Sequence, residues 1–374
     1  MSKNISEIPF TEMVERVQKI GRVGLNNAPK IRGDINDVYI RDIGAKFDWM
    51  FLLASSSLTV FDEYHQGSVT MNTGDTAAIA TSDAVFTNLM VGRKIKFASN
   101  DVIYDIVGYS NTTALTISPP LAGNQNLSGA SYSIYQPNYS LAPNFDRFPK
   151  PGGVFRWAGG KKQILPETQY ARYVNDDFVG TATTPSKTRL FGTDTMGNQV
   201  VELIPPPRQA NIFGYDYIRT LKPLTETTAG TLSSIAMSAT TVYGNTNTRF
   251  TEAGTDGTYW FRVDALGTAQ DSSWYKIISI QHDSQMTLAT AFANTAITSS
   301  ANYVISRSPE MPVKLHEGIM YGALRMLTQD QNDPNMAVYN NQYATVLSDA
   351  KKIYVSRPYS QEITGVMEDY RYRR

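Results

Sequence analysis

His65, His282 and His316 are the three histidines of the chain, and no two stand three or four residues apart. Two imidazoles on one helical face need that spacing to share a zinc ion, so a helical zinc-hydrolase motif is missing. His316, beside Glu317 early in a predicted helix, reads as a surface residue. Asp62-Glu63 and Asp176-Asp177 pair carboxylates, but neighbours on an extended segment point to opposite faces. Two acids that flank one scissile bond must converge on it, so these read as solvated loop acids. The run "GGKK" at 159–162 approaches a phosphate-binding loop and misses it. Phe155 stands where the first glycine belongs, and Lys162 where a serine or threonine belongs. A basic hairpin turn is the plainer reading. Without cysteine there is no thiol nucleophile, thiolate metal site or disulfide framework. No GxSxG elbow marks a serine nucleophile. The expectation is a protein that is not an enzyme, with no catalytic residue, cofactor or metal.

What the chain offers instead is contact surface. It carries 22 Tyr, 15 Phe and 4 Trp in 374 residues. Tyr and Arg dominate interface energies because each joins a large buried area to a polar handle. Strand preference accounts for Tyr104, Tyr132, Tyr275 and Tyr303. It does not account for residues 356–374, "SRPYSQEITGVMEDYRYRR", which show no sustained period. Arg357, Tyr359, Tyr370, Arg371, Tyr372, Arg373 and Arg374 make this a candidate tail that orders on a partner. The 34 basic and 34 acidic residues balance, so no global field draws the chain to nucleic acid. "MSKNISEIPFTEMVERVQKIG" lacks the apolar core of a signal peptide, and no apolar run approaches the ~20 residues of a membrane span. A soluble, unexported chain is expected.

Periodicity supplies the elements that would position these surfaces. In the segment 1–60, Met13, Val14, Val17 and Ile20 recur at helical steps. A second helix is predicted from about Gly33 to Asp48, with Ile35, Val38, Tyr39 and Ile43 as its stripe and Asp34 as its N-cap. Residues 61–137 are short β-rich runs broken by Asn, Gly, Ser and Asp, and read as a small antiparallel sandwich or barrel. The stretch 138–227 is rich in Pro and Gly and holds central strands and loops. Residues 228–308 repeat the first β module. Phe86 and Phe97 match Phe250 and Phe261 at an offset of 164. Tyr104, Ile106, Thr116, Tyr132 and Ile134 match Tyr275, Ile277, Thr287, Tyr303 and Ile305 at 171. Helices return over 309–355, where Leu315, Ile319, Met320, Ala323 and Leu327 share one face and Tyr343, Val346, Leu347 and Ala350 another. Helices at both ends pack most economically into one bundle, with Ile35, Val38, Tyr39, Ile43, Trp49, Ile319, Leu324, Leu327, Tyr343 and Leu347 as its core. The expected fold class is α+β, a helical bundle formed by both chain ends with two inserted small antiparallel β modules.

The order of these segments resembles the head-to-tail adaptor (connector) proteins of tailed bacteriophages. "IRGDINDVYIRDIGAKFDWMFL" is similar to the second helix of that family, with its landmarks at Ile35-Asn36 and Asp48-Trp49. "VFTNLMVGRKIKF", "YDIVGYSNTTALTISPPLAG" and "YSIYQPNYSLAPNFDRF" resemble the β domain that follows it in many members. "QVVELIPPP" and "YDYIRTLKPLT" resemble the next strand pair, and "MPVKLHEGIMYGALRMLTQD" the returning helix. The second β module is a departure, since smaller members lack it. The resemblance implies a structural protein of the virion neck, assembled in the host cytoplasm. It implies a homo-oligomeric ring, usually dodecameric, with portal protein above and a tail or nozzle protein below. DNA would pass through the lumen without specific binding, and no membrane would be involved. The tail residues named above would then dock on the portal. The alternative is a tail-fibre or surface adhesin whose repeated β modules bind carbohydrate, a role that has no use for the terminal helices.

Overall fold

Apolar residues at three- and four-residue steps fold both chain ends into helices, α1 (Phe10–Gly21), α2 (Ala28–Asp37), α3 (Val313–Gln331) and α4 (Met336–Tyr354). The computed structural model describes residues 7–123, 125–150, 152–158, 161–167, 184–254, 256–264, 273–298, 300–331 and 333–355. α2 begins earlier than predicted because Pro29 suits a first helical turn. Asp34 therefore lies mid-helix, bonded to Lys30 at 2.9 Å, and caps nothing. Beyond Asp37 the helix widens into a π-helix, Val38–Gly44, which buries Val38, Tyr39, Ile43 and Gly44 together. α3 packs against α1, α2 and α4. The approach is close because α3 offers a glycine: a Cβ at Gly322 would sit 2.6 Å from a Val38 methyl and 3.2 Å from the Tyr343 ring. Ile35, Val38, Tyr39, Ile43, Trp49, Ile319 and Leu324 are wholly buried, and Leu327, Tyr343 and Leu347 nearly so. His316 is wholly buried too, contrary to the surface position expected. Its Nδ1 accepts the Ile8 amide at 3.1 Å, so Nε2 carries the proton and donates to the Met311 carbonyl at 3.1 Å. It satisfies an amide just ahead of α1 and a carbonyl just ahead of α3, which an aliphatic residue could not do.

The fold class departs from the expectation. Among the described residues strand accounts for 37% and helix for 25%, so this part of the protein is mostly β with four helices, not a helical bundle carrying small β inserts. The difference arises in two places. Each of the two β modules is a seven-stranded sheet. The stretch read as central strands and loops also builds a sandwich with a core of its own. In it, Leu53–Val60, Asn211–Arg219, Val154–Ala158, Lys161–Ile164 and Phe145–Arg147 form one sheet, and Lys187–Thr193, Gln199–Ile204 and Asn138–Ser140 another. Leu58, Val60, Val201, Leu203, Phe213 and Tyr215 pack between them. The chain divides into two compact units, Met1–Phe51 with Leu221–Arg374, and Leu52–Thr220. The first holds the helices and the second β module. The other holds the sandwich and the first β module.

The two β modules share one topology. In the first, the sheet runs Leu127–Ala130, Ser68–Met71, Ala77–Ser82, Ala114–Ser118, Ile103–Asn111, Lys94–Phe97, Tyr132–Tyr135. Its two edge strands are halves of one stretch bent at Ser131, so the sheet curls into a barrel-like form. In the second, Leu232–Ser234, Thr241–Gly244, Gln285–Leu288, Tyr275–His282, Tyr259–Val263 and Tyr303–Arg307 follow the same order, and Ala301 bridges back to Leu232. The correspondence extends to single atoms. Tyr104 Oη accepts the Ala122 amide at 3.0 Å, and Tyr275 Oη accepts that of Ala293 at 3.1 Å. Tyr132 donates to the Gln66 carbonyl and Tyr303 to that of Ala229. Gly67 and Gly230 both take positive φ, at 75° and 80°, and pack where a side chain would strike backbone.

Replacing Gly322 by Ala adds the methyl that Val38 excludes. Although Ala favours helix by ~1 kcal/mol, the Gly322→Ala protein should lose about 1–2 kcal/mol of stability in urea denaturation. Burial holds the His316 imidazole below the usual 6.5. The unfolded chain then binds that proton first, and unfolding free energy should fall as pH drops below about 6.5. The loss between neutral and mildly acidic pH should be smaller in His316→Asn; equal losses in the two proteins would exclude a contribution from this residue.

Candidate functional site

The predicted portal-docking residues Arg357, Tyr359, Tyr370, Arg371, Tyr372, Arg373 and Arg374 lie outside the described residues, as does Asp176-Asp177. The point from which the tail departs is built from aromatic rings. Trp49 is wholly buried, donates from its indole to the Ile43 carbonyl at 2.7 Å, and stacks on Phe51 with centroids 5.5 Å apart. Phe51 meets Tyr354 edge-on at 6.4 Å, and Val355 bridges to Trp49. The last described residues of the chain are thus tied to the end of its second helical segment. That is what the Asp-Trp landmark does structurally.

The second barrel is seated by the outer face of its pair Tyr259–Val263 and Tyr303–Arg307. Alternation along these strands sends Phe261, Tyr303 and Ile305 inward and Trp260, Arg262 and Ser306 outward, toward α1. Ser306 Oγ accepts the Thr11 amide at 2.9 Å, and Trp260 reaches Glu7 at 3.3 Å. Arg262 makes a two-pronged contact to Glu15 at 3.0 and 2.6 Å while lying 4.6 Å over the Trp274 ring. Burial opposes the Arg262 charge, but Glu15 and Asp264 outweigh it and raise its pKa. In the first barrel the matching pair, Lys94–Phe97 and Tyr132–Tyr135, turns its outer face to the sandwich and its Pro205-Pro206 turn.

Both barrels therefore leave the opposite face to solvent, and both do so with the same irregularity. The strand Ile103–Asn111 bulges between Ile106 and Gly108, and Tyr275–His282 bulges between Ile277 and Ser279. A bulge re-aims the extra side chain. Here that side chain is Val107 in one copy and Ile278 in the other, and they are 53% and 67% exposed. Ile79 and Tyr243, equivalent positions two strands away, are exposed as well. Outside the barrels, Trp157 and Ile212 lie exposed on the sandwich, where Lys162 stands over Phe155 at 3.9 Å and bonds Asp216 at 2.5 Å. The sequence pointed to aromatic surfaces in general. The shared bulges were not visible in it, though the constant offset held the information needed to align them.

The residues weighed for chemistry do not converge. Asp62 accepts the Ala210 amide, Glu63 lies 3.6 Å from Arg208, and Lys161-Lys162 belong to the strand Lys161–Ile164. Among the described residues no group of three His, Asp or Glu could hold a metal ion. No described helix is long and apolar enough to cross a membrane. No protein-family model matches the chain, and neither does any curated protein or solved structure.

The Arg262–Glu15 contact should be measurable by a double-mutant cycle. Arg262→Met and Glu15→Gln, singly and together, are expected to give a coupling of about 1–2 kcal/mol in urea unfolding. A coupling near zero would leave the Trp274 indole bond to Glu12 at 3.2 Å and the Thr11 amide bond to Ser306 as the main polar ties between α1 and the barrel.

Proposed function

We propose that this chain is a structural adaptor of a phage neck. In this reading copies of it form a ring that joins the portal to the tail and lets DNA pass through. The observation that carries the reading is the duplicated barrel, each copy seated by the same strand pair and turning the same apolar bulge outward. An adaptor must grip unlike neighbours, and two copies of one module, one seated on the helices and one on the sandwich, suit that task. Ring closure needs a heterologous contact, in which different patches of neighbouring subunits meet. For a permanent ring each contact should bury upwards of ~2,000 Å² in total. The exposed Val107, Ile278 and Trp157 are candidate contributors to such contacts. Arg357, Tyr359 and the stretch from Tyr370 to Arg374 are the candidate portal contacts, since Tyr and Arg release most energy when ordered against a partner. A balanced charge fits a channel through which DNA slides, because phosphate clamps would hold it.

Light scattering on the protein alone and mixed with the portal of the same virus tests this directly. The expected masses are near 41.5 kDa alone and a stoichiometric complex with portal. Removal of residues 356–374 should abolish portal binding and leave the melting temperature unchanged. Val107→Lys with Ile278→Lys should weaken ring formation on the portal while changing stability by less than about 0.5 kcal/mol. A folded protein that never associates with portal at any salt concentration would overturn the adaptor reading.

A further inference from the structure

The seat of the first barrel is not fully closed. Between its outer face and the sandwich lies a cavity of about 180 Å³, and the residues that face it differ from those at the equivalent places of the second barrel. At the offsets of the repeat, Lys96 corresponds to Trp260 and Ser133 to Val304. In the second barrel the Trp and Val help fill the seat, and Ser306, at the position of Tyr135, is bonded to α1. In the first, the wall is polar and open.

Its composition specifies a ligand. Glu63 supplies an acceptor and Lys96 a donor, with the Arg208 charge beside them. Lys96 has only a loose contact, 3.8 Å to the exposed Asp101, which is too long for a hydrogen bond. Ser131 and Ser133 add hydroxyls whose oxygens make no hydrogen bond among the described residues. A free anion would meet the Glu63 charge and a cation would meet Lys96 and Arg208. A neutral molecule with several hydroxyls answers both signs, since each hydroxyl donates and accepts. Pro205 and Pro206 give the apolar wall against which the C–H face of a ring can lie. The volume is below the ~300 Å³ at which drug-sized pockets begin, which restricts the occupant to about one ring. We propose that this cavity is a monosaccharide site, one sugar ring held by Glu63, Lys96 and the two serines. The site does not depend on the adaptor reading.

Ligand-observed NMR on the full chain, with glucose, galactose and N-acetylglucosamine as probes and inorganic phosphate and glycine as charged controls, tests it. At least one sugar should bind with Kd below about 10 mM, and both controls more weakly. Lys96→Met with Ser133→Val, which copies the apolar wall of the second barrel, should weaken that sugar by about tenfold or more. If this protein does not fold, Glu63→Gln keeps the cavity's shape, removes its charged acceptor, and should weaken the sugar by a similar factor. Absence of sugar binding in that range, tighter binding of phosphate or glycine, or unchanged sugar affinity in a folded variant overturns the proposal.

Discussion

The contact between α3 and the π-helix Val38–Gly44 joins the two ends of the chain, and it exists because Gly322 has no side chain. Bringing distant segments together costs loop-closure entropy, which grows slowly with loop length. A long intervening chain is therefore tolerable if the contact that closes it is tight. Here the closure is reinforced twice. His316 accepts the Ile8 amide, and Leu221, where the chain re-enters this unit, lies against Gly44 so closely that a Cβ there would fall 2.6 Å from its methyl.

The barrels show how one module serves two seats. What repeats is the interior: the hydrogen-bonded tyrosines, the left-handed glycines and the paired bulges. What varies is the outward face of one strand pair. Where it meets α1 it carries Trp260, Arg262 and Ser306, and where it meets the sandwich it carries Lys96, Ala98 and Tyr135. Within the sandwich the seat is electrically demanding as well. Burial pushes the Glu202 carboxyl up to about 7, while Lys94 pulls it back and Arg189 lies 2.6 Å away. Such a pair, once desolvated, tolerates no loss of one partner.

Much of this was legible in the sequence, for identifiable reasons. The helices declared themselves because their stripes are long enough for a 3.6-residue period to show. The repeat did so because five aromatic and β-branched positions hold one offset. The sandwich did not, because its strands are short, separated by Pro and Gly, and in Gln199–Ile204 buried on successive residues, so that no alternation appears. His316 was misplaced because a polar residue near a helix start resembles a solvated one until the backbone groups it satisfies are known. The polar seat of the first barrel was within reach. Setting Lys96 against Trp260 and Ser133 against Val304 at the repeat's own offsets would have exposed the contrast.

Two copies of one β module in a single chain carry a hazard during synthesis, since strands of one could pair with the complementary strands of the other. The bend at Ser131 bears on this. Because the closing stretch of the first barrel supplies both edge strands, closure leaves few unpaired backbone groups at which a foreign strand could begin to exchange. The interiors add a second barrier, with Ile95 against Tyr259, Leu121 against Phe292 and Ala78 against Val242 at matching positions. A hybrid barrel would be overfilled at some of these layers and hollow at others, so each copy is the better template for its own completion.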